Sequence, residues 1–592
     1  MSDTASILDD ASASRGRVVE LEAALASERE LRAQWERKHD LLLGAYQALE
    51  QQLELIRRRL FIAKAERIDT AQLELEFAAT LAALDALAGA PTSDPSADTN
   101  TSADAGGSGS GSGDARGKRT PTGRRDLRDE DVPEERIALT DPTLDATTDR
   151  IGTEQASRMM WRRAGWVRVV TERIKYREEP TAEAVSDSDA TEASEPPMAR
   201  IITAPLPPEM IDRSIVTASV WAHIASSKFA FGMPLYRLEE IFARAGFRID
   251  RGTMSRWLEQ LGGTVGATVV EAMRQEALRT AFCIATDATG ILIQPIPDRD
   301  QPRRACRRGH FFVQIADADH IFFEYTARET SVAVGKMFHG FSGYVQADAK
   351  SVYDFLFRPP EERVRDHDDQ PEPDRAVRRE VGCWSHLRTK AWEVAITSKD
   401  PIAREMLARI MRMFALDRGW KKLPHPEIKA LRELHLRPHV DAFFAFVEAA
   451  YERVKDQRGL LRSALGYAVR QRGALTRFFD DGRLKLTNNQ SERELRRIAT
   501  GRKAWLFCGS DDHAQAAGNL LTLVASARLH GLDPEQYLRD LFRALPQWPR
   551  DRYIELAPKY WTATRARLDA AQLEIEIGWI TIPPPPEQAS AS

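Results

Sequence analysis

Val18, Leu21, Leu25, Trp35, Leu42, Tyr46, Leu49, Leu53, Ile56 and Leu60 recur at alternating three- and four-residue spacing, interrupted by Glu28, Arg32 and His39. This predicts a coiled coil over residues 15–88 with polar register marks, although a single amphipathic helix packed on its own domain would carry the same stripe. The stripe persists over many turns, which favours self-association into a homo-oligomer. Residues 89–118 turn to Ala, Ser, Thr, Asp and Gly, with Gly-Gly-Ser-Gly-Ser-Gly-Ser-Gly at 106–113, and form a flexible linker. In the small region 119–200, alternation through Val167, Val169, Thr171, Arg173 and Lys175 predicts a strand, and the acidic, Ser-rich stretch from Glu178 to Glu195 predicts a disordered loop.

Residues 201–263 carry helical spacing. Pro234 to Gly246, a short Phe-Arg-Ile-Asp connection and Arg251 to Leu261 have the helix, glycine turn, helix form of a helix-turn-helix, with Thr253, Ser255 and Arg256 heading the second helix. Such a pair either reads DNA or serves as a plain structural hairpin. Short β-branched or aromatic runs follow at Phe282–Ala285, Ile291–Gln294, Phe311–Ala316 and Ile321–Tyr325. A helix from Glu329 to Phe338, a strand from Tyr344 to Ala347, a helix near Ser351 and a strand at Val381–Trp384 complete a mixed α/β pattern. The α/β part is expected over 280–400 and 480–510, interrupted by an all-helical insertion at 401–479 and followed by C-terminal helices and a tail at 511–592.

Composition narrows the class. A chain of 592 residues is long enough for several domains and a sizeable core. Its net charge of −4 supplies no global basic field, so nucleic-acid contact must come from local patches. Cys283, Cys306, Cys383 and Cys508 are scattered without a C-x-x-C pair, which argues against a disulfide framework and a structural zinc site. Signal-peptide patterning and bilayer-length apolar runs are absent, so the expected location is cytoplasmic, with no membrane partner.

The chemistry rests on three acids. Asp287 and Asp348 each close an apolar run, where a carboxylate must be solvated, paired or bound to a cation. Glu492 lies in the first turn of a helix for which Asn488, Asn489 or Ser491 would supply the cap. Alone, each acid reads as a turn cap or a surface charge; together they offer hard oxygen ligands for Mg²⁺ or Mn²⁺. Two such ions about 4 Å apart activate an attacking oxygen and stabilise a leaving one in phosphoryl transfer. Arg493, Arg496, Arg502 and Lys503 follow Glu492 along the helix and are phosphate-holding candidates, with Arg256 and Arg388 as further DNA contacts. Arg303, Arg304, Arg307 and Arg308 read as a basic loop between strands, and Asp354 as a reserve ligand.

Several ordered motifs carry a resemblance: Met-Pro-Leu-Tyr-Arg-Leu-Glu-Glu-Ile-Phe at 233–242, Thr-Asp-Ala-Thr at 286–289, Gln-Ala-Asp at 346–348, Cys-Trp-Ser-His-Leu-Arg at 383–388, Asn-Asn-Gln-Ser-Glu-Arg at 488–493 and Gly-Arg-Lys-Ala-Trp-Leu-Phe-Cys-Gly-Ser at 501–510. From about 200 to 560 the chain resembles the transposases of the insertion sequence 66 family. That resemblance implies a ribonuclease H-like catalytic domain with an Asp-Asp-Glu triad at Asp287, Asp348 and Glu492. It also implies double-stranded DNA as partner and cutting and joining of a mobile element's ends, with accessory proteins a further expectation. Two departures stand out: residues 117–200 lack the cysteines of the family's zinc-binding segment, and Asp287-Ala288-Thr289-Gly290 replaces the family's usual Asp-Glu-Thr-Pro. The competing expectation is a non-catalytic DNA-binding oligomer of the same ancestry.

Overall fold

The computed structural model describes Glu30 and residues 132–146, 148–162, 165–178, 200–295, 305–359 and 377–586. The expected coiled coil, the Gly/Ser linker and nearly all of the acidic Ser-rich stretch lie outside the described residues. Contacts divide the chain into two units, of which the described parts are 132–381 with 487–586, and 382–486.

The first unit contains two sheets. One has four strands: β1 (Glu134–Leu139), β2 (Asp149–Arg162), β3 (Gly165–Glu178) and β4 (Arg200–Thr203). The alternating segment seen in the sequence is β3, which pairs antiparallel with β2 and β4 and parallel with β1. Three helices follow, α1 (Ala218–Phe231), α2 (Leu235–Arg244) and α3 (Arg251–Val265), the last continuing through a wider turn into α4 (Glu271–Thr280). Gly246 makes the α2–α3 turn at φ +99°, where a side chain would be strained, and the Asp250 carboxylate caps α3 through Gly252 N at 2.8 Å.

The second sheet holds the candidate acids. It runs in the order β7 (His320–Thr326), β6 (Arg307–Ala316), β5 (Cys283–Ile293), β8 (Gly343–Gln346), β9 (Arg378–Val381). The β5–β6 and β6–β7 pairs are antiparallel; β5–β8 and β8–β9 are parallel. Three expectations need correction. The two runs 282–285 and 291–294 are one unbroken strand, because Ile284 to Ile293 pair residue by residue with Ala316 to Arg307. Asp287 therefore lies within a strand and does not close one. Arg307 and Arg308 belong to β6 and not to a loop, while Arg303 and Arg304 lie outside the described residues. The strand expected at Val381–Trp384 ends at Val381, and a helix starts at Trp384.

Helices α5 (Ser331–Met337) and α6 (Ser351–Asp354) flank β8 in sequence. After the break at 487 come α11 (Asn489–Trp505), α12 (Asp511–Leu529) and α13 (Pro534–Ala544). The apolar α12 covers edge strand β7: Ser526 Oγ accepts from Ile321 N at 3.1 Å and Thr522 Oγ1 from Phe323 N at 2.9 Å. These hydroxyls satisfy backbone donors that an open edge would offer to another chain. At the α3–α12 crossing, a Cβ on Gly262 would stand 2.4 Å from the Ala516 carbonyl, so close approach requires glycine.

The other unit is helical among its described residues: α7 (Trp384–Thr397), α8 (Pro401–Trp420), α9 (Arg437–Val454) and α10 (Leu460–Arg470), with shorter helices between. Its core packs Trp384 edge-on to Phe443 and Phe444, with centroids at 5.2 and 5.8 Å. The Trp384 indole N–H donates to Leu475 O at 2.8 Å.

Candidate active site

Strand β5 is central, and its parallel partner β8 sets the geometry. Cys283, Ile284 and Ala285 stand opposite Tyr344, Val345 and Gln346; two further residues along each chain are Asp287 and Asp348. Both residues are half-buried, Asp287 within β5 and Asp348 two residues past the end of β8. Asp287 also accepts a 2.7 Å hydrogen bond from Ala288 N.

The buried phenol of Tyr353 on α6 reports on this neighbourhood. Burial is the main cause that pushes its pKa well above the usual tyrosine range, and the negative charges of Asp287, Glu329 and Asp348 add to the effect. Three acids thus act on one phenol. Sequence reasoning missed Glu329, which follows β7 just as Asp348 follows β8; its place after an apolar run was the available signal. Lys350 Nζ lies 3.4 Å from Glu329, and His310 Nε2 lies 3.7 Å from it. Burial lowers the His310 pKa, Glu329 opposes that shift, and Arg308 and Lys350 reinforce it. The reserve ligand Asp354 is exposed, while its neighbour Tyr353 is the residue packed inward.

Glu492 occupies the first turn of α11 and is half-buried. Asn488 is the N-cap residue by position, yet its side chain makes no capping bond; its Nδ2 donates instead to Thr286 O at 2.8 Å. This ties the start of α11 to the residue before Asp287. Near the other end, Arg502 Nη1 donates to Gly290 O at 2.7 Å and Thr289 Oγ1 at 3.3 Å. The helix is therefore stitched twice to the stretch of β5 that carries Asp287. As a set of three, Asp287, Asp348 and Glu492 do not have oxygens that all fall within 4.8 Å of one another. Asp287 and Asp348 follow paired residues of β5 and β8, and Glu492 lies four residues after the Asn488 that is bonded to Thr286.

The basic candidates separate into groups. Arg493, Arg496 and Lys503 are exposed on α11, whereas Arg502 spends its donors on β5. Arg256 is exposed on α3 and donates to Thr253 Oγ1 at 2.9 Å. Arg388 is exposed in the helical unit, 5.9 Å from the centre of the Phe414 ring. Among the described residues, no helix is long and apolar enough to cross a membrane.

Comparison with known proteins defines the class. Residues 213–516 match the description "Transposase IS66 family", and residues 522–559 match "IS66 C-terminal element". The chain belongs to the IS66 transposase family. Similar relatives in Sinorhizobium fredii are the uncharacterized protein y4qI, 24% identical over 361 residues covering 60% of this chain and 65% of the relative, and the uncharacterized protein y4jD, 26% identical over 360 residues covering 58% and 66%. A third, uncharacterized protein y4hP, is 30% identical over 201 residues, 31% of this chain and 35% of the relative. The matched region thus spans just under two thirds of the first two relatives.

Proposed function

We propose that this chain is a DNA transposase that binds the ends of a mobile element and carries out metal-dependent strand cleavage and strand transfer through Asp287, Asp348 and Glu492. One observation carries the reading: Asp287 on β5 and Asp348 just past its parallel partner β8, with Glu492 on a helix bonded through Asn488 to the residue preceding Asp287. A five-stranded sheet with two antiparallel strands on one side of β5 and two parallel strands on the other supports a ribonuclease H-like reading of the fold.

The donor chemistry fits the metal that this reading requires. Half-buried carboxylates are hard oxygen ligands suited to Mg²⁺ or Mn²⁺, and acids gathered around Tyr353 favour a cation among them. Asp287, Asp348 and Glu492 would hold one or two ions. Bound there, divalent ions supply Lewis acidity to the attacking and leaving oxygens of a phosphodiester. The chain contributes position: β5 and β8 fix two carboxylates, the α11 stitches fix the third, and Arg493, Arg496 and Lys503 provide exposed charge for DNA phosphates. Double-stranded DNA is the partner, with a homo-oligomer holding two ends.

The test uses purified protein, labelled duplexes copied from the DNA flanking the coding sequence, and Mg²⁺. Wild type should nick and join the strands. Asp287→Asn and Glu492→Gln should each lower joining by at least about 10³-fold, in keeping with loss of a group acting on transition-state charge, while retaining DNA binding. Joining by either variant at wild-type rate would sink the assignment. Salt-sensitive binding by wild type with no metal-dependent nicking would instead favour the non-catalytic DNA-binding oligomer.

A further inference from the structure

At the C-terminal end of α11 the backbone makes a tight turn at a residue poorly suited to it. Leu506 has φ +69° and ψ −50°, and Phe507 N donates to Trp505 O at 2.9 Å. This is a γ-turn of the rarer, strained hand, centred on a branched residue. Both sides of the turn are held. Leu506 N donates to Arg502 O at 2.8 Å, and Cys508 is tied to the end of β5 by Cys508 N to Leu292 O and Gln294 N to Cys508 O, each 2.8 Å.

The side chains divide sharply. Trp505 packs inward, edge-on to Phe229 at 5.9 Å with Lys228 Nζ 4.5 Å over its ring, and a Cβ on Gly501 would collide with it. Leu506 and Phe507 point outward, 63% and 40% exposed, beside Leu292 at 46%. Arg308, opposite Leu292 in the β5–β6 ladder, and Lys503, three residues before Leu506, are exposed, as is Arg307, which pairs with Asp511. A rigid apolar tip among cations suits one occupant in particular. Bases have apolar faces, phosphates have negative charge, and Leu and Phe are side chains that enter opened base steps.

We infer that Leu506 and Phe507 form a wedge that unstacks a base of the bound DNA. The inference rests on the transposase reading and adds a DNA-distorting element to it. Asp287 and Ile293, the β5 residue bridged to Cys508, are six residues apart on one strand, roughly 20 Å. On a duplex lying along β5, at 3.4 Å per base step, the disturbed base would stand about six steps from the reacting phosphate.

The test is a series of flanking-DNA duplexes ending in a 3′-hydroxyl, with 2-aminopurine at each of the last ten positions in turn. Wild type should raise the fluorescence several-fold at positions centred about six steps from the end. Phe507→Ala should abolish the rise while binding, followed by anisotropy, weakens by less than about tenfold, since phosphate contacts dominate affinity. Leu506→Gly, which suits the positive φ, should melt no lower than wild type and also lose the rise. Binding by wild type without a fluorescence rise, or a rise retained in both variants, would overturn the wedge and leave the transposase reading intact. Absence of DNA binding by wild type would overturn both. A fall in oligomer mass for Phe507→Ala, seen by light scattering with the fluorescence rise unchanged, would replace the wedge with a contact between copies.

Discussion

Arg432 in the helical unit and the acids around Tyr353 in the sheet unit are both charges drawn away from water, but their surroundings differ in kind. Arg432 is 4% exposed, and its guanidinium donates to Asp417 Oδ1 at 2.8 Å, Phe478 O at 3.1 Å and Leu484 O at 2.8 Å. Its environment is complementary, so the charge holds the fold together. Asp287, Glu329 and Asp348 all act with the same sign on one phenol, and Glu329 also has Lys350 3.4 Å away. A bound cation would add to what holds such a group. The contrast teaches that the sign of the neighbours, more than burial alone, separates a structural charge from a chemical one.

The largest expected effect breaks the structural side of this comparison. Arg432→Met should destabilise the helical unit by about 3–5 kcal/mol, because Asp417 and two buried carbonyls lose their donor together. Urea unfolding monitored by circular dichroism measures the loss. Adding Asp417→Leu should recover part of it, and no recovery would mean that the carbonyl contacts carry most of the energy.

Asn488→Ala should come next, at about 1–3 kcal/mol, because it leaves the Thr286 carbonyl without its 2.8 Å donor in a buried place. If that bond also positions Glu492, strand joining should fall by more than DNA binding does. Equal falls in both would mean that the bond serves only stability.

This bond also marks where sequence reasoning reached its limit. Strands and helices were legible because apolar period and turn residues are local signals, and β3 and α12 fell where periodicity put them. The break expected between 285 and 291 was misleading: Thr286 to Gly290 look like a turn, but β6 supplies a ladder partner for every one of them. Asn488 looked like a cap, yet a carbonyl 202 residues away competes for its side chain. Glu329 was missed for the same reason, since its significance depends on Tyr353 and Lys350 meeting it through the fold.

Glu276 extends the comparison to pH. Burial alone would raise its carboxyl, but hydrogen bonds from His320 and Tyr560 and the charge of Lys559 outweigh burial and hold it at about 2, against an ordinary 4.5. Because the folded value is depressed, the stabilisation is present above about pH 4.5 and is lost as pH falls through about 2. Acid unfolding of wild type should therefore include a stability loss across that window. Glu276→Gln should be less stable at neutral pH and flatter below pH 4.5, as measured by melting temperature against pH.

The smallest effect sharpens the comparison most, because it tests the acids directly as cation ligands. Asp348→Asn removes one of the three negative charges that act on Tyr353, and without divalent ions the two proteins should differ in stability by no more than about 1 kcal/mol. Adding Mg²⁺ should stabilise wild type more than the variant, since ions that bind only the folded protein act by mass action and the variant has lost a ligand. Melting temperatures of both proteins with EDTA and with Mg²⁺ test this without any need for activity. If Mg²⁺ raises both melting temperatures equally, or neither, the case for a cation held by Asp348 fails.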